Sequence, residues 1–286
     1  MSELFILPVL FEGFVMAGQV THYSASGIED RILGAIRTAG LDPDQRLSPT
    51  QLAALDHFHT GGFRASLALR ELAQVRAEDR VLDIGAGLAG PARMLAASPG
   101  CRVDCIELSD DFCVAATLLN SITGLEDRIR VHQGSALDMP FADAAFDVAW
   151  MQNVGMNIAD KRRLYREIHR VLKPNGRFAF QEMVAGNNGV ASYFPLPWAL
   201  DPADNLLVSS ETMRTLLAES GFTADYFEDV SDAPLPTPAT GTPESAPQAP
   251  LSLSAYVDNL GQKAENATRS VREGQIRLFR GVFRAN

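Results

Sequence analysis

Four residues, Val81-Leu82-Asp83-Ile84, run straight into Gly85-Ala86-Gly87-Leu88-Ala89-Gly90, and a helical stretch opens at Pro91. A short apolar run predicts a strand, and the glycines predict a tight turn into a helix. The same rhythm then repeats. Val103 to Glu107 reads as a second strand, and Ser109 caps a helix with Phe112, Ala116 and Leu119 inward. Ile129 to His132 is a third strand and Phe146 to Met151 a fourth, with Leu164, Ile168 and Val171 on the helix that follows. Gly176 to Glu182 is a fifth. Strands alternating with helices predict a parallel sheet covered on both faces, the doubly wound Rossmann-like α/β class, with right-handed connections.

The flanks read differently. Gly27 to Gly40 has helical spacing of Ile28, Ile32, Leu33 and Ile36; Ser48-Pro49 opens a second helix that meets Gly61-Gly62. A further helical stretch, Phe63 to Val75, leads into the core. Residues 184–208, rich in Gly, Asn, Pro and aromatics, are too apolar for a plain linker and suggest a lid over a site. Ala233 to Pro250 holds six prolines and reads as a linker. Ser252 to Glu273 looks helical, and Ile276 to Phe283 fits either a helix or a closing strand. The 286 residues thus divide into cap helices (1–75), an α/β core with its lid (76–232), a linker (233–250) and a C-terminal segment (251–286).

Lys+Arg is 25 and Asp+Glu 35, a net charge of −10, which opposes nucleic-acid binding. Lys161, Arg162, Arg163 and Arg166 form the densest basic stretch and suggest a solvated helix face. The three cysteines, Cys101, Cys105 and Cys113, make no CxxC pair, so reduced thiols in a cytoplasmic protein and no metal site are expected. Met1 to Val15 is apolar, but it has no basic residue ahead of the apolar run and is too short to span a bilayer. A secretory signal is therefore not expected, and Met16 suggests that part of this stretch is an upstream extension.

The chemistry begins at the glycine turn. Gly85, Gly87 and Gly90 match GxGxxG, a weak signal alone. Asp83 stands two residues before the first glycine, where an acid meets an amino group and repels a pyrophosphate. Glu107 ends the second strand, where an acid accepts hydrogen bonds from ribose hydroxyls. Together they describe a ligand with a ribose, a cationic amino end and no phosphate. S-adenosylmethionine fits; NAD fits less well.

Val81 to Ala96, Val103 to Glu107, Gly134 to Phe141, Phe146-Asp147-Val148 and Arg170 to Gly176 together resemble class I S-adenosylmethionine-dependent methyltransferases. Within that family the nearest branch contains ubiquinone/menaquinone, tocopherol and sarcosine/dimethylglycine methyltransferases. Leu55 to Gly62 is similar to a His-Gly segment ahead of the core in some members. The resemblance implies a mixed seven-stranded sheet with a reversed strand near the C-terminus. It also implies that Asp83, Gly85 and Gly87 hold the methionine end, Glu107 binds ribose and Leu108 packs on adenine. Ser135 and Ala136 would face the adenine edge, with Ser135 where the family commonly has Asp. Gln152 would border methionine and substrate, and Tyr23 would reach the methionine carboxylate, or serve as a core or surface residue.

Methyl transfer is an in-line displacement, so such an enzyme mainly positions and desolvates its acceptor, with a base only where a proton must leave. His59 and Glu182 are the candidate catalytic residues, with His57 also considered; packing or cofactor binding is the alternative for His59, and structural hydrogen bonding for Glu182. Phe58, Met156, Asn157, Tyr193, Phe194 and Trp198 are candidate acceptor contacts. The expected substrate is a small molecule, tilted toward oxygen or carbon of a quinone, phenol or secondary metabolite. A small amine is the alternative, and a rearrangement or cyclisation without methyl transfer is a rival. A monomer or homodimer is expected, with no nucleic-acid partner and no membrane span.

Overall fold

A computed structural model describes residues 27–233 and 251–286. Helix α1 (Ile28–Thr38) buries Ile28, Ile32 and Ile36 along one stripe. Ser48 opens α2 (Pro49–Asp56) with a reciprocal capping box: Gln51 N–H donates to Ser48 Oγ and Ser48 N–H donates to Gln51 Oε1. After α3 (Gly62–Ala73) the alternation begins: β1 (Arg80–Ile84), α4 (Gly90–Ala97), β2 (Arg102–Glu107), α5 (Asp110–Ile122), β3 (Ile129–Gln133), β4 (Phe146–Gln152) and α6 (Lys161–Val171). Next come β5 (Leu172–Ala185), α7 (Ser210–Glu219), β6 (Phe222–Asp229), α8 (Leu260–Arg272) and β7 (Ile276–Ala285).

The seven strands lie in the order β3-β2-β1-β4-β5-β7-β6. Strand β7 runs antiparallel to both neighbours, while β1 to β5 pair in parallel. The expected α/β class and reversed C-terminal strand are therefore present. The segment 276–283 is a strand rather than a helix, and it sits inside the sheet. The core consequently does not end at residue 232. The expected 252–273 helix is shorter, beginning at Leu260 after Asn259 in the left-handed region.

Both sheet faces are covered. Leu69, Met94 and Leu95 pack on one face with Val81, Trp150, Ala179 and Val282; Leu164, Ile168, Met213 and Leu217 cover the other with Leu82, Phe146, Phe178 and Phe283. That is why β1 and β4 are mostly apolar, interrupted by Asp83 and Asp147. A third cluster joins α1, α2 and α5 to Leu88 of the glycine turn and to Leu251 and Tyr256. Cys101, Cys105 and Cys113 are free and buried. Among the described residues no helix is long and apolar enough to cross a membrane, and no cluster of His, Cys, Asp and Glu could hold a metal ion.

Candidate functional site

The glycine turn lies at the carboxyl end of β1, beside the carboxyl ends of β2 and β4. Gly85 has φ +64°, and a Cβ there would meet Val154 Cγ2 at 2.6 Å. Gly90 is excluded from substitution by packing: a Cβ would strike the Asp56 carbonyl oxygen and lie 2.7 Å from His57 Nδ1. The turn thus brings the first turn of α4 against the end of α2.

Two buried carboxyl groups face this turn. Asp83 accepts the Ala92 N–H, but its Oδ2 has no partner among the described residues. Burial, reinforced by the Glu107 charge, pushes its pKa up to about 8, against the Ala92 hydrogen bond and Arg93. Glu107 accepts Gly87 N–H on Oε2 at 2.8 Å and Ser109 N–H on Oε1 at 3.0 Å. Burial raises its pKa, and the N–H groups of Ser109, Gly87 and Leu108 oppose that rise. Leu108, Ser135 and Ala136 are half-buried nearby in sequence order at the ends of β2 and β3. Ser135 Oγ accepts Leu137 N–H at 3.1 Å, so its hydroxyl also closes a turn.

The segment after α2 is held over the sheet by polar contacts. Arg93, fully buried on α4, donates to Asp56 Oδ2 at 2.7 Å, Asn120 Oδ1 at 2.9 Å and the Leu88 carbonyl. His57 Nδ1 lies 2.6 Å from Asp56 Oδ1. Burial alone would raise the Asp56 carboxyl; the Arg93 charge and the His57 hydrogen bond outweigh it and hold it below the usual range. His59 has both ring nitrogens engaged: Nε2 is 3.0 Å from Ser66 Oγ, and Nδ1 is 3.4 Å from both Gln152 Nε2 and the Thr60 carbonyl. Burial, with the His57 charge next, pushes the His59 pKa down to about 3.

Gln152, Gln181 and Arg280 stand at one level across β4, β5 and β7. Gln152 Oε1 accepts from Trp150 Nε1 and Ser66 Oγ, each at 2.9 Å. Gln181 donates to the Thr60 carbonyl at 2.7 Å and accepts from Arg280 Nη2 at 2.9 Å. Asn153 follows in the left-handed region, with φ +55°, and its Nδ2 donates to Thr60 Oγ1 at 3.4 Å. Left-handed backbone at a non-glycine residue is uncommon and marks a constrained position. None of Asp56, Arg93, Gln181 or Arg280 was expected from the sequence. Asp56 next to the His-Gly segment was the one available signal; its partner Arg93 is far along the chain.

The other candidates separate. Glu182 is fully buried and accepts Val154 N–H on Oε1 and Gly155 N–H on Oε2, at 2.9 and 2.8 Å. It thereby organises the turn at Gly155–Asn157 that carries Met156 and Asn157. Burial pushes its pKa up to about 7, against those N–H groups and the Lys161 charge. Lys161 departs from the expected solvated face: it is buried and donates to the Ile158 carbonyl and to the Leu206 carbonyl at 2.8 Å. Trp198, Leu196 and Ala199 pack with Met156, Met183, Ile276 and Leu278, with Phe194 alongside. The Tyr193 hydroxyl donates to Glu273, and Arg269 lies 3.8 Å over its ring. Residues 193–199 therefore sit at the β5–β7 end of the sheet, against α8, whereas the glycine turn follows β1. Phe58 belongs to a separate aromatic group, edge-on to Tyr256 with centroids 6.2 Å apart. Tyr23 lies outside the described residues.

Residues 82–180 match the family profile described as "Methyltransferase domain". A glycine/sarcosine/dimethylglycine N-methyltransferase of Actinopolyspora halophila is 40% identical over 111 residues, 39% of this chain and 20% of the relative. A sterol 24-C-methyltransferase of Eremothecium gossypii is 31% identical over 192 residues, 63% of this chain and 52% of the relative. The matches therefore span no more than about half the length of these curated relatives. The crystal structure of geranyl diphosphate C-methyltransferase from Streptomyces coelicolor A3(2), in complex with Mg2+, geranyl-S-thiolodiphosphate and S-adenosyl-L-homocysteine, superposes with a TM-score of 0.66 at 18% identity. That superposition covers 96% of this chain and 98% of the other.

Proposed function

We propose that this chain, whose core carries a methyltransferase domain on the class I fold, is an S-adenosylmethionine-dependent methyltransferase of a small-molecule acceptor. One observation supports this above the others: Asp83 Oδ2, without a partner among the described residues, is buried beside Glu107 at the glycine turn. A buried carboxylate oxygen without a donor costs free energy until a cation or donor meets it. An ammonium group supplies both. Glu107 spends two lone pairs on Gly87 and Ser109, and a carboxylate offers about four acceptor sites, which leaves room for ribose hydroxyls.

When bound, the cofactor supplies an electrophilic methyl group with a thioether leaving group. In this assignment Asp83 binds the amino group, Gly85 and Gly87 allow close backbone approach, and Glu107 accepts from the ribose. Leu108, Ser135 and Ala136 border adenine, and Gln152 borders the reacting end. His59 holds Ser66 and Gln152 in place; a group with its pKa at about 3 is a poor base at neutral pH. His59→Ala should accordingly leave cofactor affinity within about twofold and lower kcat about tenfold. Its pH–rate profile should keep the wild-type shape. Loss of an inflection near neutrality in the variant would instead make His59 the base.

The acceptor is assigned to oxygen or carbon of an apolar, quinone- or phenol-like molecule. Support comes from the apolar character of Phe58, half-buried beside Tyr256, and of Met156 at the turn after β4. The N-methyltransferase relatives support the second reading, a small amine. Methyl-labelled S-adenosylmethionine offered with phenols, quinols, a sterol, sarcosine and dimethylglycine separates the two. Label in the phenol or quinol fractions is expected. Label confined to sarcosine or dimethylglycine would replace this reading with N-methylation, and no label despite cofactor binding would favour a rearrangement.

A further inference from the structure

Strand β7 carries three arginines, Arg277, Arg280 and Arg284. Two are neutralised by acids of β6 and the residues after it. Arg277 donates to Asp229 at 2.7 Å and to Asp232 at 3.1 Å, and Arg284 lies 2.5 Å from Asp225. Arg280 stands opposite Glu228 in the β6–β7 register, yet no ion pair joins the two, and Glu228 acts on it through its charge alone. The guanidinium turns over the sheet instead. Its Nη2 donates to Gln181 Oε1 at 2.9 Å, and its Nε is enclosed with no partner among the described residues. Burial pulls the Arg280 pKa down, against the Glu228 charge, but arginine keeps its proton at any ordinary pH. A half-buried positive charge is thus left with one neutral acceptor. That arrangement costs free energy until an anion meets it.

The sheet says where such an anion would stand. Side chains two apart on a strand share a face. Gln152, Gln181 and Arg280 therefore lie on the face of Trp150, Ala179 and Val282, at the level where β4 ends. Ser66 and the Thr60 carbonyl close over Gln152 and Gln181. Strands are spaced by about 4.8 Å, so two spacings separate Gln152 from Arg280, and the bond to Gln181 brings the guanidinium back over β5. An anionic group at that place lies about one aromatic ring away from Gln152, which borders the reacting end. One guanidinium balances one negative charge, and its fork matches the two oxygens of a carboxylate.

We propose that Arg280 selects for a carboxylate on the methyl acceptor, which makes the acceptor a hydroxylated aromatic acid rather than a neutral phenol or quinone. The assignment rests on the phenol reading above and narrows it. The acid group docks over β5 and the hydroxyl end turns to Gln152. Gln181, held between Arg280 and the Thr60 carbonyl, is a positioning residue.

Two matched pairs of probes test it on protein saturated with S-adenosylhomocysteine. 4-Hydroxybenzoate and 4-hydroxybenzamide have nearly the same shape and differ in charge; dimethylglycine and its amide do the same for the amine reading. Titration calorimetry should show 4-hydroxybenzoate binding about tenfold or more tightly than its amide. Arg280→Gln should erase that preference, and Arg280→Lys, which keeps the charge without the fork, should retain part of it. The glutamine variant loses an unpaired charge, so it should melt no lower than wild type. The same pattern in the dimethylglycine pair alone keeps the role of Arg280 and moves the acceptor to an amine. Equal affinity for acid and amide in both pairs, binding of neither acid, or a preference that survives Arg280→Gln overturns the role of Arg280. Wild-type protein that does not bind S-adenosylhomocysteine overturns the cofactor reading instead.

Discussion

Asp83→Asn should make the ligand-free protein more stable and its cofactor binding much weaker. The Asp83 pKa stands at about 8 in the folded protein against 3.8 for an ordinary aspartate. Between those values the folded state holds a proton that the unfolded state has released, so stability falls as pH rises through that range and stays reduced above about 8. Asparagine is neutral throughout and removes that loss. The variant should therefore melt higher than wild type at pH 8 and above, and the gap should close as pH falls toward about 4. The same change removes the charge that meets an ammonium group, so affinity for S-adenosylhomocysteine should drop about a hundredfold. Gain of stability with loss of binding marks a group retained for function at a cost in stability. Melting curves across pH together with calorimetry check both halves. A variant less stable than wild type at pH 8 with unaltered affinity would make Asp83 an ordinary structural carboxylate.

Glu107→Ala should have the second large effect, of a different kind. The carboxylate does two things at once: it holds Gly87 N–H and Ser109 N–H, and it offers its remaining lone pairs to a ligand. Alanine leaves both amides without that acceptor, each at about 1–3 kcal/mol if water does not replace it. The glycine turn loosens, and ribose loses a charged acceptor. Cofactor affinity should fall about a hundredfold or more, this time with a lower melting temperature. Glu107→Gln, which keeps one acceptor oxygen, should lie between. For 5′-methylthioadenosine, which contains the ribose but lacks the amino-acid end, the loss should match that for S-adenosylhomocysteine. Undiminished affinity in Glu107→Ala calorimetry would refute the ribose assignment.

The central part of the fold was legible because its signals are local. Val81 to Gly90 states strand, turn and helix within ten consecutive residues, and Ser48-Pro49 and Ser109 announce helix starts that the structure shows. Asp83 and Glu107 were legible for the same reason: each is placed by the end of its own strand. Long-range pairing was not. Strand β7 enters between β5 and β6, an arrangement that only the antiparallel register with both neighbours reveals. The Asp56–Arg93 contact joins residues 37 apart, and the Tyr256–Leu55 contact joins residues 201 apart. No periodicity encodes either one. Residues 184–208 show a different limit. An apolar, aromatic segment between two elements must cover something, and composition does not distinguish a substrate from the protein's own interior. Here Trp198 and Leu196 cover Ile276 and Leu278. Lys161 shows the converse: a residue in a basic run, expected in solvent, is buried because two backbone carbonyls meet its ammonium group.

Thermal melting of the wild-type protein with S-adenosylmethionine, S-adenosylhomocysteine and NAD, each in separate titrations, tests the central claim most directly. A ligand that binds only the folded state stabilises it by mass action, about 2.7 kcal/mol at a hundredfold excess over Kd. The account predicts a rise of several degrees with the first two ligands and none with NAD, whose pyrophosphate would meet Asp83. A rise with NAD alone, or no rise with any of the three, would contradict it.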